Sequence, residues 1–376
     1  MTTRYRCTFD RDERGRTRTN FLLDGERVSG LAMWDMPVRI GSCEVRLAGI
    51  GGVWTHEHHR KKGYASIVMT DSVAWMRENG FDISMLFGIP DFYWRWGFIS
   101  TVASTTVEVP TPHAESVKRT SRPRRFRTRD LARAIRIFNR DNARRTGSTV
   151  RRKSTWFPWR IGLEWREPPE IWLYAARGRT VGAAGFCLKP DAVQCCEVST
   201  VDASAFGGIL RHAADLAVRR RASSVVFHVP RDHPFTDFCR DQGCRVSTQV
   251  PRAGGGMARI INQRTCLEKI APELTQRLHE STLADWSGTV AIVTDLETTR
   301  LVVKRGVVRI DGDKGRGRAD VRLDLPQQRL TQLLFGFQPV SHLLSQTPTK
   351  LTGDTSGVVE ALFPRQEATV WQSDRF

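Results

Sequence analysis

The sequence predicts an α+β chain of three units, the first two built on the same order of strands and helices. Three observations support this. Strand-like runs crowd the first 55 residues, an amphipathic helix follows them directly, and the same order returns further along without the same sequence. At 376 residues the chain is also two to three times the usual ~150 residues of a single domain, so more than one core is required.

The first unit, residues 1–120, opens with strand-like runs at 21–23, 27–34, 38–40 and 43–54, punctuated by Asp24-Gly25 and Ile40-Gly41-Ser42 as turns. This spacing predicts an antiparallel meander. Ala65, Val68, Met69, Val73 and Met76 then recur at helical spacing over 63–79, and Gly80 stops the run as a helix C-cap would. An apolar strand at 83–88, a short helical stretch at 90–96 and a strand at 102–109 complete the unit. Residues 111–127, rich in Pro, Ser and Arg and without apolar periodicity, read as a linker.

The second unit, 121–270, starts with a basic amphipathic helix over 130–146 that sets Leu131, Ile135 and Phe138 on one side. Strands at 171–176, 180–189 and 195–201, a helix at 206–221 and a strand at 223–229 repeat the first unit's order. The third unit, 271–376, is a small α+β domain: a helix at 271–284, strands at 288–295, 300–305, 307–311 and 319–324, helices at 326–335 and 339–345, and an apolar run at 358–363.

Composition narrows the function. Hydrophobic residues make up 40% and charged residues 26%, which excludes a disordered or collagen-like chain. No window offers the ~20 apolar residues of a membrane helix, and the scattered cysteines form no CxxC pair, so the reading is a soluble cytoplasmic protein with reduced thiols. His228, His233, Cys239 and Cys244 are the residue types of a zinc site, but their spacing follows no finger pattern and no metal is expected. The net charge of +18 is uneven: cuts at 120 and 270 give +2, +16 and 0. Such a basic middle can attract nucleic acid, although it carries no nucleic-acid-binding motif, or can be a solvated face.

The most specific feature is Gly52-Val53-Trp54-Thr55, then His56 to His59, then Arg60-Lys61-Lys62-Gly63-Tyr64-Ala65 at the start of the long helix. A strand that feeds a basic, glycine-containing turn into a helix N-terminus builds an anion site, because unpaired backbone N–H groups and the positive helix end converge there. The cations add charge-assisted contacts suited to a pyrophosphate. The alternative is an ordinary basic helix cap.

Arg60-x-x-Gly63-x-Ala65 resembles the R/Q-x-x-G-x-G/A signature of the GCN5-related N-acetyltransferases (GNAT). The stretch from Leu86 through Pro90-Asp91-Phe92-Tyr93-Trp94-Arg95-Trp96-Gly97-Phe98 looks like the Y-x-R-F-G-[FY] segment of the Eis-like branch, and the two stand one helix and one strand apart. In that branch a second, degenerate GNAT fold and a sterol-carrier-protein-like domain follow. Asp141-Asn142-Ala143-Arg144-Arg145-Thr146-Gly147-Ser148 resembles the start of the second fold, which here lacks R-x-x-G-x-A, and the end of the chain, from Ala361-Leu362-Phe363-Pro364 to Phe376, is similar to the branch's aromatic ending. One departure is that only residues 1–20 precede the first strand-like run, where relatives carry a strand and one or two helices.

The resemblance implies acetyl-coenzyme A as co-substrate, an amine acceptor and a hexameric assembly. Val53, Trp54 and Thr55 would line the pantetheine, Lys61, Lys62, Gly63, Tyr64, Ala65 and Ser66 would wrap the pyrophosphate, and Gly88 and Ile89 would meet the coenzyme from the next strand. Tyr93 would protonate the leaving thiolate, a transfer from a phenol of pKa ~10 to a thiol of ~8.5 that local hydrogen bonds can level. The terminal carboxylate of Phe376 would accept the amine proton. Glu57, His56, His58, His59 and Asp91 are the other candidate bases. The alternatives are packing for Tyr93, beside Phe92, Trp94 and Trp96, and a frayed tail for Phe376. Two further readings stay open: a coenzyme-binding module without catalysis, and a nucleic-acid-binding protein.

Overall fold

In the computed structural model, which describes residues 5–12, 15–154, 169–311, 318–346 and 348–376, strands β1 (Tyr5–Arg11), β2 (Arg16–Leu23), β3 (Glu26–Ile40) and β4 (Cys43–Thr55) run antiparallel in sequence. Helix α1 (Tyr64–Glu78) leads to β5 (Ile83–Gly88), and a 3-10 turn over Tyr93–Trp96 leads to β6 (Ile99–Val102). The middle of the chain forms β7 (Ser104–Pro110), α2 (Thr111–Ser116), β8 (Arg122–Arg125), α3 (Leu131–Asp141), β9 (Glu170–Ala176), β10 (Arg179–Lys189), β11 (Ala192–Thr200), α4 (Ser204–Arg219), β12 (Ser224–Phe227), α5 (Pro234–Asp241) and β13 (Arg245–Gln249). The rest comprises β14 (Gly255–Ile260), α6 (Gln263–His279), β15 (Gly288–Val293), β16 (Thr298–Lys304), β17 (Val307–Ile310), β18 (Val321–Asp324), α7 (Gln327–Leu334), α8 (Val340–Leu344), β19 (Lys350–Thr352) and α9 (Val358–Leu362).

The strands build three sheets. The first has the order β1-β2-β3-β4-β5-β14-β6 and the second β8-β9-β10-β11-β12-β7-β13, while the third, of five strands, runs β17-β16-β15-β18-β19. The first two share one plan. Each has an antiparallel meander, a parallel pair (β4 with β5, β11 with β12) joined through a helix, then two further strands. The strand next to the parallel pair is exchanged: β14 enters the first sheet from beyond the second, and β7 enters the second from directly behind the first.

This exchange moves the unit boundaries away from residues 120 and 270. One compact unit comprises Met1–Val102, Pro251–Ala368 and Phe376, and the other Ala103–Val250 and Thr369–Arg375. The expected strand at 102–109 is accordingly two strands in different sheets, separated at Ala103. The expected linker at 111–127 is helix α2 and edge strand β8 instead. Edge strands are commonly charged or proline-bearing, and Arg122-Pro123-Arg124-Arg125 gives no apolar alternation to read.

Other corrections are local. The N-terminal residues form β1 and the start of β2, an edge hairpin whose charged residues concealed it. The helix placed at 271–284 begins at Gln263 and carries Pro272 in its interior, and the helix placed at 130–146 ends at Asp141.

In the first sheet, successive strand residues point to opposite faces. Phe21, Leu31, Met33, Ala48 and Ile50 pack against Val68, Met69 and Met76 of α1, and buried Thr19 meets Ser72 at 2.9 Å. Burying each large side chain contributes roughly 1.5–3 kcal/mol. Gly80, at φ +70°, closes α1 as its sequence position implied, and the Phe81 amide donates back to Met76 at 3.1 Å. Helix α6 docks on the same unit through Glu273, which accepts from the amide and hydroxyl of Ser42 at 2.9 and 2.8 Å.

Candidate active site

The site begins with a defect in pairing. Strands β4 and β5 run parallel in register from Leu47/Ile83 to Ile50/Leu86, and there the pairing ends although β4 continues to Thr55 and β5 to Gly88. On its other edge β4 stays bonded to β3, with a bulge at which Gly52 and Val53 oppose Leu31. Gly52 has φ +59°, the left-handed backbone such a bulge requires and glycine adopts without strain. The result is a slot lined by the unpaired edge of Val53, Trp54 and Thr55.

The turn after β4 ends at the N-terminus of α1. Gly63 is the N-cap residue at φ +81°, and Lys61 precedes it at φ +62°. Ser66 and Ile67 donate to the Gly63 carbonyl at 2.9 and 3.2 Å. Among the described residues the amides of Lys62, Gly63, Tyr64 and Ala65 have no acceptor, and no side chain caps the helix. Lys61, Lys62 and Ser66 are exposed at this turn, while Arg60 is turned back toward the Thr55 carbonyl at 3.3 Å. Tyr64 faces inward and stacks on Phe21 at 4.7 Å, so its amide rather than its ring belongs to the anion site. Four bare amides, the helix dipole and two lysines match an anion of two or more charges.

Tyr93 and Phe376 flank the slot from opposite faces of β5. A side chain at Gly88 would collide with the Tyr93 ring, its Cβ falling 2.5 Å from Cδ2, so glycine there seats the tyrosine on the α1 side. Burial raises the Tyr93 pKa above its ordinary value, which keeps the phenol protonated. On the other face the Phe376 ring lies 5.6 Å from Phe87 and 6.2 Å from Trp34, over Gly49. Its carboxyl group sits over Gly51, where a Cβ would come within 2.8 Å of the carboxyl carbon. Among the described residues that carboxylate has no hydrogen bond or ion pair. Phe376 is therefore packed, at 8% exposure, rather than frayed.

Sequence reasoning overlooked Gly49, Gly51, Trp34 and Phe87. A signal was present: glycines two apart in a strand leave one face bare, which marks a close approach of another group. Of the other candidate bases, Glu57 meets His58 at 3.5 Å and Asp91 meets Arg252 at 3.5 Å. His56, His58 and His59 cluster with ring centroids 5.3 and 6.0 Å apart on the turn after β4. Ile89 is exposed beyond β5, and Arg95 lies over the rings of Phe92 and Trp96.

The corresponding place in the second sheet is filled. Pairing of β11 with β12 ends at Cys195/Phe227, and beyond it buried Arg151 bonds Glu197 at 2.6 and 2.9 Å and Asp374 at 3.0 Å, with Gln372 on His228 at 3.0 Å. At the head of α4 the Asp202 carboxylate takes the Ser204 amide at 2.8 Å, so the chain's own anion occupies that helix start. His228, His233, Cys239 and Cys244 are not brought together. His233 caps α5 and meets Asp141 at 3.1 Å, Cys239 is buried in the core, and no cluster of three metal-ligating side chains occurs among the described residues.

A bare-amide turn beside two parting parallel strands suits an anionic ligand, and comparison places the part of the chain that carries it. Residues 8–100 match the family described as Acetyltransferase (GNAT) domain. Three solved structures among those that match resemble nearly the whole chain. The GCN5-related N-acetyltransferase from Kribbella flavida superposes with a TM-score of 0.73 at 17% identity, over 96% of this chain and 87% of that one. A probable N-acyltransferase of unknown function from Enterococcus faecalis gives 0.74 at 18%, over 94% and 87%. An Eis protein from Mycobacterium abscessus gives 0.65 at 14%, over 96% and 90%. At such identities the likeness establishes the fold alone. No curated protein matches the chain.

Proposed function

We propose that the chain transfers the acetyl group of acetyl-coenzyme A to a primary amine. The observation that carries this reading is the slot between β4 and β5, with a bare-amide turn at its head, a half-buried phenol on one face and a free carboxylate on the other.

In this reading the amides and lysines from Lys61 to Ser66 hold the pyrophosphate, the unpaired edge from Val53 to Thr55 lines the pantetheine, and the main chain at Gly88 and Ile89 borders the thioester. The Phe376 carboxylate takes a proton from the incoming ammonium, and Tyr93 gives one to the departing thiolate. The Phe376 ring, held against Phe87 and Trp34, fixes the place of that carboxylate over Gly51. The closing sheet β17-β16-β15-β18-β19 with α6 to α9 would be the sterol-carrier-like domain of the Eis-like plan.

Thiol release from acetyl-coenzyme A in the presence of amines tests the reading. Tyr93→Phe and a chain ending at Arg375 should each lose about 10²-fold or more in kcat at unchanged acetyl-coenzyme A affinity. Unaltered turnover in both removes the role assignments.

A further inference from the structure

The first sheet's face opposite α1 carries a pattern of rings and charges that selects among amines. Residues directly paired across antiparallel strands share a face. Trp34 is opposite Gly49, Ala32 opposite Gly51, and Gly30 opposite Trp54. Outward on the same face, Arg16, Arg18 and Asn20 of β2 stand opposite Trp34, Ala32 and Gly30, and Asp10 of β1 stands opposite Arg18. The row Gly30, Gly51, Gly49 leaves room for large rings: a Cβ at Gly30 would reach the Trp54 indole nitrogen at 3.0 Å, and one at Gly49 would strike the Phe376 ring at 2.7 Å. Around the terminal carboxylate the face is therefore aromatic, built from Trp34, Trp54, Phe87 and Phe376, and Trp54 is 42% exposed although large.

Among the described residues, the anions beside these rings have partners except one. Asp10 is opposite Arg18 and accepts from Asn20 at 2.8 Å, and Arg16 is bonded to Asp12 at 2.9 Å. Beyond β5, Asp91 has Arg252. Among the described residues the carboxylate of Phe376 is the remaining anion beside these rings. A polycation placed here would satisfy one ammonium and set the others beside Arg16 and Arg18, whereas a single ammonium finds both a counter-charge and aromatic faces.

We propose that the acceptor is an arylalkyl monoamine, its ammonium at the Phe376 carboxylate and its ring against Trp34 and Trp54. This rests on the acetyl-transfer reading above. The ammonium loses one proton to that carboxylate, its nitrogen forms a bond to the acetyl carbon, and the second proton that this nitrogen sheds as the amide forms passes to bulk water. The carbon–sulfur bond breaks with its electron pair on sulfur, which takes the Tyr93 proton. Water returns the carboxylate's proton to the tyrosine, giving one N-acetylamine and one free coenzyme thiol.

The test compares kcat/KM of the full chain for 2-phenylethylamine, tryptamine, spermine and a lysine peptide by thiol release, with acetyl-coenzyme A binding followed by calorimetry. The expected result is at least a tenfold preference for the two arylalkylamines, with Trp54→Ala raising KM for 2-phenylethylamine fivefold or more while the KM for spermine changes less than twofold. Equal or greater kcat/KM for spermine or the peptide overturns the acceptor class and leaves acetyl transfer standing, as does an unchanged KM in Trp54→Ala. Coenzyme binding without thiol release for any amine removes the transfer reading, and the acceptor class with it.

Discussion

Gly51→Ala probes the seat of the terminal carboxylate with a single methyl group. The new Cβ would lie 2.8 Å from the Phe376 carboxyl carbon, 2.9 Å from its oxygen and 3.0 Å from Cζ3 of Trp34. Carbon atoms pack at about 3.5–4.0 Å, so the terminal residue must retreat by roughly 0.7–1.2 Å. A displacement of about 1 Å at a reacting group costs on the order of 10²-fold in rate, or about 2.7 kcal/mol of barrier at 1.36 kcal/mol per decade. The coenzyme turn is untouched, so kcat for amine-dependent thiol release should fall by that factor while calorimetric affinity for acetyl-coenzyme A holds. Gly49→Ala should act alike through the Phe376 ring, its Cβ falling 2.7 Å from Cδ1. A Gly51→Ala chain with kcat within twofold of wild type refutes the placement of the carboxylate as base.

Three other outcomes follow from the structure. Because burial lifts the Tyr93 pKa above its usual ~10, its donor form persists from pH 7 to about pH 10. The wild-type kcat should therefore show no alkaline decline from this group in that range, and a decline centred below pH 9 that Tyr93→Phe abolishes contradicts its assignment. Arg151→Met leaves Glu197 and Asp374 buried without their cation and should cost about 3–5 kcal/mol in denaturant unfolding, against less than 1 if the cluster is incidental. Burial lowers the pKa of His212, hydrogen-bonded to Tyr174 at 2.9 Å, to about 4. The unfolded chain then binds the extra proton as pH falls from about 6.5 to 4, so stability drops through that window by up to ~3 kcal/mol. Thermal melts at pH 7, 5.5 and 4.5 should show this decline, reduced in His212→Gln, and equal slopes in the two chains contradict it.

How much was legible in the sequence depended on the range of the signal. Helix α1, its glycine cap and the basic turn are local features, written in periodicity and in the position of Gly63, and the structure has them. The reciprocal exchange of β7 and β14 was not legible, because an apolar strand does not name its partner and both strands read as ordinary members of their neighbourhood. Strand β8 was missed because its residues are charged or proline. Helix α6 was cut short because Pro272, which removes an amide donor, reads as a boundary, yet tertiary packing of Cys266, Leu267, Ile270, Leu274 and Leu278 carries the helix through it. At the site, Tyr93 and Phe376 came from resemblance, whereas Gly49, Gly51 and Gly88 become meaningful only when the rings that occupy their missing side chains are in view.

The most direct test of the coenzyme seat is calorimetric titration of acetyl-coenzyme A into the wild-type chain and into Gly63→Val. Gly63 sits at φ +81°, where a β-branched residue is strained and the bare amides of the α1 start lose their geometry. The account predicts one binding event per chain, weakened tenfold or more by the substitution. No heat with the wild-type chain, or equal affinity in the two, would contradict it.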